Sequence, residues 1–208
     1  MFRLQRLCKQ AFRTDCLQSM KRPRITLPRL FLFWFVGMVI VLALTLPEKP
    51  PFSVEPVSFH VPEDAELYFR NVRSFYYERE EREDAGFLQY RIKSRPEHAL
   101  LHVSLLFNGL QDEAYIMPET PQQESLPLPF TLRARMPETE TWDTLVCTAW
   151  DAQQAYLLAG WLYTKLEAEA RIECKQAGAW SSLFQDGTDQ SSLHKTLEDY
   201  FRLVGKLR

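Results

Sequence analysis

Seventeen consecutive residues without a charge, residues 30–46, constrain this chain more than any other feature of its sequence. A helix over this run, at a rise of ~1.5 Å per residue, would measure ~26 Å, slightly less than the ~30 Å hydrocarbon core of a bilayer. Arg29 and Pro47 bracket the run, and Thr45 contributes its single hydroxyl, so the run has no polar face to turn towards solvent. The sequence therefore predicts a transmembrane helix over residues 30–46.

A cleaved secretory signal also combines a basic front with an apolar middle, and it is the main alternative to a membrane anchor. The basic front of such a signal is short, whereas 29 residues precede the apolar run here. Ala43 and Thr45, the best pair of small residues in the run, also make a poor cleavage site, because such a site usually has the form Ala-x-Ala. We therefore expect an uncleaved signal-anchor.

Charge is divided unevenly along the chain. Residues 1–29 contain eight Lys and Arg but only Asp15 as an acid, a net charge of +7. The remaining residues contain seventeen Lys and Arg and twenty-six acids, a net charge of −9. Short segments rich in Lys and Arg stay on the cytoplasmic side of a membrane. The sequence thus predicts a single-pass inner membrane protein with a cytoplasmic N-terminus and a periplasmic C-terminal domain; a mitochondrial inner membrane is the open alternative.

The tail, residues 1–29, carries apolar side chains at the spacing of one helical face, namely Leu4, Leu7, Cys8, Ala11, Phe12 and Cys16. Its basic residues fall mostly on the other side. This pattern predicts a basic amphipathic helix, which would lie on an anionic membrane surface or act as a mitochondrial targeting sequence. A tail whose charge only fixes the topology is the third interpretation.

Prolines occur in two clusters. The first, within residues 47–62, blocks a helix and predicts an extended, semi-rigid stalk between the membrane and the outer domain. The second, from Pro118 to Pro137, predicts one long surface loop. A boundary between subdomains is less suitable there, because residues 63–208 have the usual size of a single domain.

The outer domain, residues 63–208, begins with helical spacing from Asp64 to Tyr76, which favours a helix. The aromatic and β-branched residues in this stretch leave a strand as the alternative. The charged run at residues 78–84 predicts the solvated end of that helix or the tip of a hairpin. Alternating apolar residues and an Asn108-Gly109 turn predict three antiparallel strands, at residues 86–93, 100–107 and 113–117.

Helical patterns dominate the second half. Asp151 and Gln154 have the spacing of a capping pair and predict a helix over residues 152–169, and Asp189 or Ser191 begins a last helix. The strands predicted around these helices are an edge strand at residues 130–135 and two others at residues 143–149 and 170–175. The sequence thus predicts an α+β fold, in which an N-terminal transmembrane helix precedes a single outer domain with an antiparallel sheet and two or three helices.

Cys147 and Cys174 are the two cysteines of the outer domain, and an even number on an oxidising side of the membrane suggests a disulfide. On neighbouring strands they would close a loop of about 27 residues and stabilise the fold by ~3 kcal/mol. Two buried free thiols are the alternative.

His98 and His102 are weak candidates for metal ligands, since a spacing of four residues brings two side chains to one helical face. Here they fall at the start of a predicted strand, and a zinc site needs a third ligand, so ordinary histidines are the favoured interpretation. No motif for a phosphate, a dinucleotide or a nucleophilic serine is present in the sequence, so no cofactor and no catalytic residue are predicted. The acidic outer domain argues against nucleic acid as a partner.

Aromatic residues make up 13% of the chain, and this surplus includes Trp142, Trp150, Trp161 and Trp180. They either fill a small core or form a protein or carbohydrate-like interface. An anchor, a stalk and a small domain without a catalytic signature predict a non-enzymatic accessory or assembly subunit of a membrane protein complex. Its partners would be the membrane and other subunits of that complex. A membrane-tethered extracytoplasmic enzyme or ligand-binding domain is the alternative.

Overall fold

The computed structural model describes residues 27–45, 52–82, 86–96, 99–120, 127–176 and 178–207. The chain divides into two compact units, Met1–Glu48 and Lys49–Arg208.

The first unit contains α1 (Leu27–Thr45), which covers most of the run predicted to span the membrane. The side chains described in it, those of residues 31–42, are all exposed. Among the described residues, no helix has both the length and the apolar character needed to cross a membrane. The transmembrane helix over residues 30–46 stays a prediction, and so does the amphipathic tail, since residues 1–26 lie outside the described residues.

The second unit contains α2 (Glu63–Tyr68), which continues as a π-helical turn (Phe69–Arg73) and a 3₁₀ turn (Ser74–Tyr76). Pro62 precedes α2, and three acidic residues in its first turn interact favourably with the positive end of the helix dipole. The predicted helix is therefore confirmed, although aromatic residues of the kind it contains are more typical of strands.

The first sheet is an antiparallel meander in which each strand pairs with its neighbour in the chain. Its strands are β1 (Tyr77–Arg82), β2 (Phe87–Ile92), β3 (His102–Asn108) and β4 (Glu113–Glu119). The buried side chains of Tyr90, Leu105 and Ile116 lie opposite one another on β2, β3 and β4. The three predicted strands are confirmed. The charged run forms most of the edge strand β1, where charge opposes pairing with another chain.

The connection between β3 and β4 is wider than the predicted two-residue turn. Asn108 pairs with Glu113, so the loop between them contains four residues. One of these, Asp112, has a positive φ of 50°, a conformation that Asp tolerates better than most residues. The Asn108-Gly109 signal located the hairpin correctly but not its turn type.

The second sheet has the strand order β6-β5-β7-β8, with antiparallel pairing throughout. Its strands are β5 (Phe130–Arg135), β6 (Asp143–Cys147), β7 (Arg171–Gln176) and β8 (Ala179–Ser182). The prediction of one sheet with residues 130–135 at an edge is wrong, because β7 returns to pair with the free side of β5. The strands β6 and β7 and the helix between them therefore form a split β-α-β unit around β5.

Two longer helices, α3 (Ala152–Glu167) and α4 (Gly187–Leu203), complete the second unit. As predicted, Asp151 begins α3: its carboxylate accepts a hydrogen bond from the backbone N–H of Gln154 at 2.7 Å. The cap of α4 is Asp186, which lies before the predicted Asp189 or Ser191. The described residues thus form a mixed α+β fold with two antiparallel sheets, and three of its four α-helices belong to this unit.

Residues 52–62, predicted as part of the stalk, pack against the rest of the second unit. The N–H of buried Val61 donates to the carbonyl of Asp112 at 2.7 Å, and the N–H of Ala114 donates to the carbonyl of Phe59 at 2.8 Å. The segment therefore extends the free edge of β4. Proline spacing excludes a helix here, but it leaves the apolar side chains between the prolines free to pack on a neighbour.

Gly160 of α3 provides the space for this segment. A Cβ at that position would lie 2.6 Å from Cγ2 of Val54, closer than two non-bonded carbons approach. The hydroxyl of Tyr156 donates to the carbonyl of Val54 at 3.0 Å. The ring of Phe52 lies 4.7 Å, centre to centre, from the buried ring of Phe201. Residues 52–62 are thus held by steric fit as well as by edge pairing.

Asp199 connects α4 to the helical segment from inside the fold. Its side chain is 1% exposed and accepts hydrogen bonds from Nε and Nη2 of Arg73, at 2.7 and 2.9 Å, and from the hydroxyl of Tyr77 at 2.7 Å. The hydrogen bond to Asp199 raises the pKa of Arg73, and burial raises the pKa of Tyr77. Arg73 therefore stays charged and Tyr77 stays neutral over the physiological range.

We expect Gly160→Ala to release residues 52–62 from α3, because the new methyl group would overlap Val54, although a helix itself favours Ala over Gly. Limited proteolysis of the full chain should then cleave this segment faster than in the wild-type protein. The double variant Gly160→Ala/Val54→Ala removes the overlapping methyl groups and should restore protection. Equal cleavage of Gly160→Ala and the wild-type protein would contradict this interpretation.

Asp199→Asn should lower the free energy of unfolding by about 3–5 kcal/mol, because it leaves the partly buried guanidinium of Arg73 without its counter-charge. Denaturant unfolding of the full chain measures this. The matched control is Glu198→Gln, one residue away, which breaks a more exposed pair with Arg202 at 2.9 Å and should cost only about 0.3–0.5 kcal/mol. Similar losses in the two variants would show that Asp199 is not the connection we describe.

Candidate functional site

Five large apolar side chains are exposed on the helical segment 63–76. They are Leu67, Tyr68, Val72, Phe75 and Tyr76, with exposed fractions of 52%, 38%, 46%, 71% and 57%. Single exposed apolar residues are common on protein surfaces, but a group along one segment is typical of an interaction site. We call these five residues the helical apolar patch.

The opposite side of the segment fixes the helical apolar patch in place. Phe69 is buried against the rings of Tyr77 and Tyr90, at centroid distances of 5.5 and 5.2 Å. Arg73 forms the buried ion pair described above. Both residues belong to the π-helical turn, a rare conformation that occurs frequently at functional sites. The patch is thus carried by a backbone that buried contacts hold on its other side.

Two arginines border the patch. The guanidinium of Arg73 lies 5.0 Å from the ring centre of Tyr76, and that of Arg202 lies 5.3 Å from the ring centre of Tyr68. Arg202 also donates a hydrogen bond to the Tyr68 hydroxyl at 3.2 Å. Cation–π contacts at exposed sites contribute about 0.5–1 kcal/mol. The patch can therefore bury apolar surface against a partner while the arginines at its border donate hydrogen bonds.

An apolar groove of about 320 Å³ lies beside β4 and the start of α3. The residues that line it include Phe87, Leu106, Tyr115, Met117, Trp150 and Ala155. The hydroxyl of Tyr115 donates to the carboxylate of Glu113, and this hydrogen bond raises the pKa of Tyr115. The volume is at the lower end of the range of small-molecule sites, about 300–1,000 Å³.

A buried polar network lies on one face of the first sheet, the face opposite to the one that carries Leu105. The guanidinium of Arg91 donates to both carboxylate oxygens of Glu119, at 3.0 and 3.3 Å, and also to Glu80. The cavity between this network and His102 has a volume of about 10 Å³, which is enough for at most one water molecule. This network therefore fixes the sheet and leaves no room for a larger ligand.

His102, the second predicted metal ligand, lies half-buried at the start of β3. Burial and the positive charge of Arg95 lower the pKa of His102, whereas the Glu119 carboxylate acts in the opposite direction. His98 lies outside the described residues. In the part of the chain that the structure describes, no group of three or more His, Cys, Asp and Glu side chains could hold a metal ion. The metal site therefore stays a prediction.

Cys147 and Cys174 are buried free thiols, and burial raises the pKa of Cys147. They pair with Phe130 and Leu132 from opposite sides of β5. Two strand spacings separate them by ~10 Å, which exceeds the ~7 Å between Cα atoms that a disulfide can bridge. The structure therefore does not bring the predicted disulfide partners together, because they lie on strands that flank β5 and are not neighbours.

The tryptophans of the second half divide between the core and the surface. Trp150 and Trp161 are partly buried and pack against the core. Trp142 and Trp180 lie on either side of Arg133 on the outer face of the second sheet. The aromatic surplus was visible in the sequence, but the helical apolar patch was missed, because its helical spacing is equally typical of a buried face.

We predict that the protein loses stability when the pH falls from about 7.5 to about 5.5. The folded state holds the pKa of His102 below its usual 6.5, so the unfolded chain binds the proton more readily and protonation favours unfolding. The free energy of unfolding should therefore decrease as the pH falls through 6.5 towards the lower pKa of the folded state. Thermal unfolding of the full chain across this range measures the slope. His102→Gln should flatten this slope, and a variant with the same slope as the wild-type protein would refute the assignment.

Comparison with protein-family models, with curated proteins and with solved structures gives no match to this chain. Among the described residues, the helical apolar patch and the groove beside β4 both have the geometry of a binding site.

Proposed function

We propose that this protein is a membrane-anchored accessory or assembly subunit of a membrane protein complex. Its extracytoplasmic domain acts by protein–protein interaction, and the helical apolar patch is the contact surface. The observation that carries this proposal is the exposure of Phe75 and Tyr76 on a segment whose other side is fixed by buried contacts.

The chemistry of the patch supports a protein partner. Aromatic residues and Arg are enriched at the centre of protein interfaces, where they fill pockets of the partner. Each Å² of apolar surface that a partner covers contributes roughly 25 cal/mol, so three aromatic rings with Leu67 and Val72 provide a substantial driving force. The bordering Arg73 and Arg202 add donors that a protein's carbonyl groups can accept.

The sequence of residues 1–46 supports the membrane anchor. The run at residues 30–46 has no charge, and the basic residues before it favour a cytoplasmic N-terminus. We place the protein in an inner membrane with a periplasmic C-terminal domain, and the mitochondrial inner membrane is the alternative. An anchor raises the effective concentration of the domain near other membrane proteins, so a patch of moderate affinity suffices for assembly.

The groove beside β4 favours a second candidate function, a membrane-tethered ligand-binding domain. Its volume of about 320 Å³ suits a small apolar ligand, and the Tyr115 hydroxyl provides a polar group at its lining. The groove and the helical apolar patch share no lining residue. Substitutions in the patch should therefore leave binding in the groove unchanged, which separates the two candidates.

We expect the double variant Phe75→Ser/Tyr76→Ser to lose its partners. The full chain, extracted from its native membrane in mild detergent, should retain other membrane proteins in the wild type and at least tenfold less of them in the variant, since interface aromatics contribute about 2 kcal/mol or more. Its free energy of unfolding should change by no more than about 0.5 kcal/mol, because both side chains are exposed. The matched control is Leu110→Ser, at a position that is 92% exposed in the β3–β4 loop and outside the patch.

Two outcomes would contradict this proposal. A wild-type protein that emerges from mild extraction as a monomer without other proteins would refute the assembly function. Equal retention of partners in Phe75→Ser/Tyr76→Ser and Leu110→Ser would refute the patch as the contact surface.

A further inference from the structure

The outer face of the second sheet carries a group of cations. The register of β5 and β7 places Arg133 opposite Glu173 and Arg135 opposite Arg171. Lys175 lies on the same face, two residues beyond Glu173, because side chains alternate along a strand. We call Arg133, Arg135, Arg171 and Lys175 the basic face; among these four cations, Arg133 and Arg171 bind the carboxylate of Glu173.

Arg133 is held between two indole rings at the centre of the basic face. Its guanidinium lies 4.0 Å from the ring centre of Trp142 and 4.2 Å from that of Trp180. It donates two hydrogen bonds to Oε2 of Glu173, while Arg171 binds Oε1 of the same carboxylate at 2.9 Å. The carboxylate is therefore already used by two guanidinium groups.

Arg135 and Arg171 form a like-charged pair across the two strands. Side chains directly opposite one another on one face lie ~5 Å apart at Cβ, and like charges at that separation are destabilising. Within the described residues, Arg135 makes no ion pair, although the exposed Glu138 and Glu140 occupy the connection to β6; its guanidinium lies 5.1 Å from the Trp142 ring. An unfavourable contact of this kind is typical of a functional site, where stability is lower than the fold alone would allow.

We propose that the basic face binds an acidic, extended polypeptide segment of a partner protein. This inference rests on the proposed function, because it takes the partner to be a protein, and it adds a second surface with a defined chemistry. Carboxylates of the partner accept hydrogen bonds from Arg135 and Arg171, and the indole rings of Trp142 and Trp180 contact its apolar atoms.

The spacing of the cations favours a polypeptide over other anions. Arg133 and Arg135 are two residues apart on β5, hence ~6.8 Å apart along the strand, which matches the repeat of alternate side chains in an extended peptide. A guanidinium also binds a carboxylate through two parallel hydrogen bonds, one to each carboxylate oxygen. The contrast in charge adds selectivity, since residues 30–208 carry a net charge of −9 and repel acidic chains elsewhere.

The test is the binding of a short fluorescent peptide of alternating Glu and Ser to the full chain in neutral detergent, followed by fluorescence anisotropy. We expect saturable binding that weakens with added salt, and roughly tenfold weaker binding by Arg135→Gln, because charge-assisted hydrogen bonds are lost. Arg135→Lys keeps the charge and should retain part of the affinity. Lys195→Gln removes one exposed cation from α4, away from the second sheet, and should bind like the wild type.

Thermal unfolding of Arg135→Gln first establishes that the variant is folded. The proposal is overturned if the wild-type protein shows no salt-dependent binding of the peptide, or if Lys195→Gln weakens binding as much as Arg135→Gln. It is also overturned if heparin, a sulfated glycan, binds through Arg135 while the peptide does not. Retention of partners by the double variant Phe75→Ser/Tyr76→Ser is measured in a separate extraction experiment. A failed peptide test therefore leaves the result on the assembly function unaffected.

Discussion

The packing around Phe201 joins the main parts of the domain Lys49–Arg208. Its ring is fully buried, and four aromatic rings surround it at centroid distances of 4.7 to 5.7 Å, those of Phe52, Tyr156, Tyr163 and Tyr200. These residues come from the segment before α2, from α3 and from α4, so three separate parts of the chain meet at one ring. A smaller side chain at Phe201 would leave a cavity that none of these elements could fill alone, and the cost of such cavities is about 3–5 kcal/mol.

This central packing leaves the helical segment 63–76 at the border of the core. Phe69 and the Arg73–Asp199 pair attach it, and the side chains of the helical apolar patch contribute little to that attachment. The exposure of the patch is thus a property of a fixed backbone and not of a loosely held one. Binding of a partner would cost the segment 63–76 little conformational entropy, because its backbone is already in place before contact.

Local patterns in the sequence correctly predicted the elements that depend on residues close together in the chain. The strands at residues 86–93 and 100–107 follow from alternation, and the Asp151 cap follows from a hydrogen bond that spans three residues. Placement of β5 between β6 and β7 depends on a strand that returns after a whole helix, and docking of residues 52–62 depends on the absent side chain of Gly160. Neither contact leaves a local pattern. The helical apolar patch and the basic face were not predicted for a related reason. Spacing in the sequence shows which side chains share a face of an element, but it does not show whether that face is buried by the rest of the protein or exposed to solvent.

The two proposed surfaces would contribute to binding in different ways. Burial of the helical apolar patch is non-directional and insensitive to salt, whereas the basic face acts through charge that physiological salt screens beyond ~8 Å. Because residues 30–208 carry a net charge of −9, an acidic partner would be repelled over most of the domain and attracted at the second sheet. Arg135 and Arg171 would therefore select the orientation and speed of encounter, and Phe75 and Tyr76 would supply the affinity that persists at high salt. The like-charged pair lowers the stability of the free protein slightly, and an acidic partner that binds there would remove that cost.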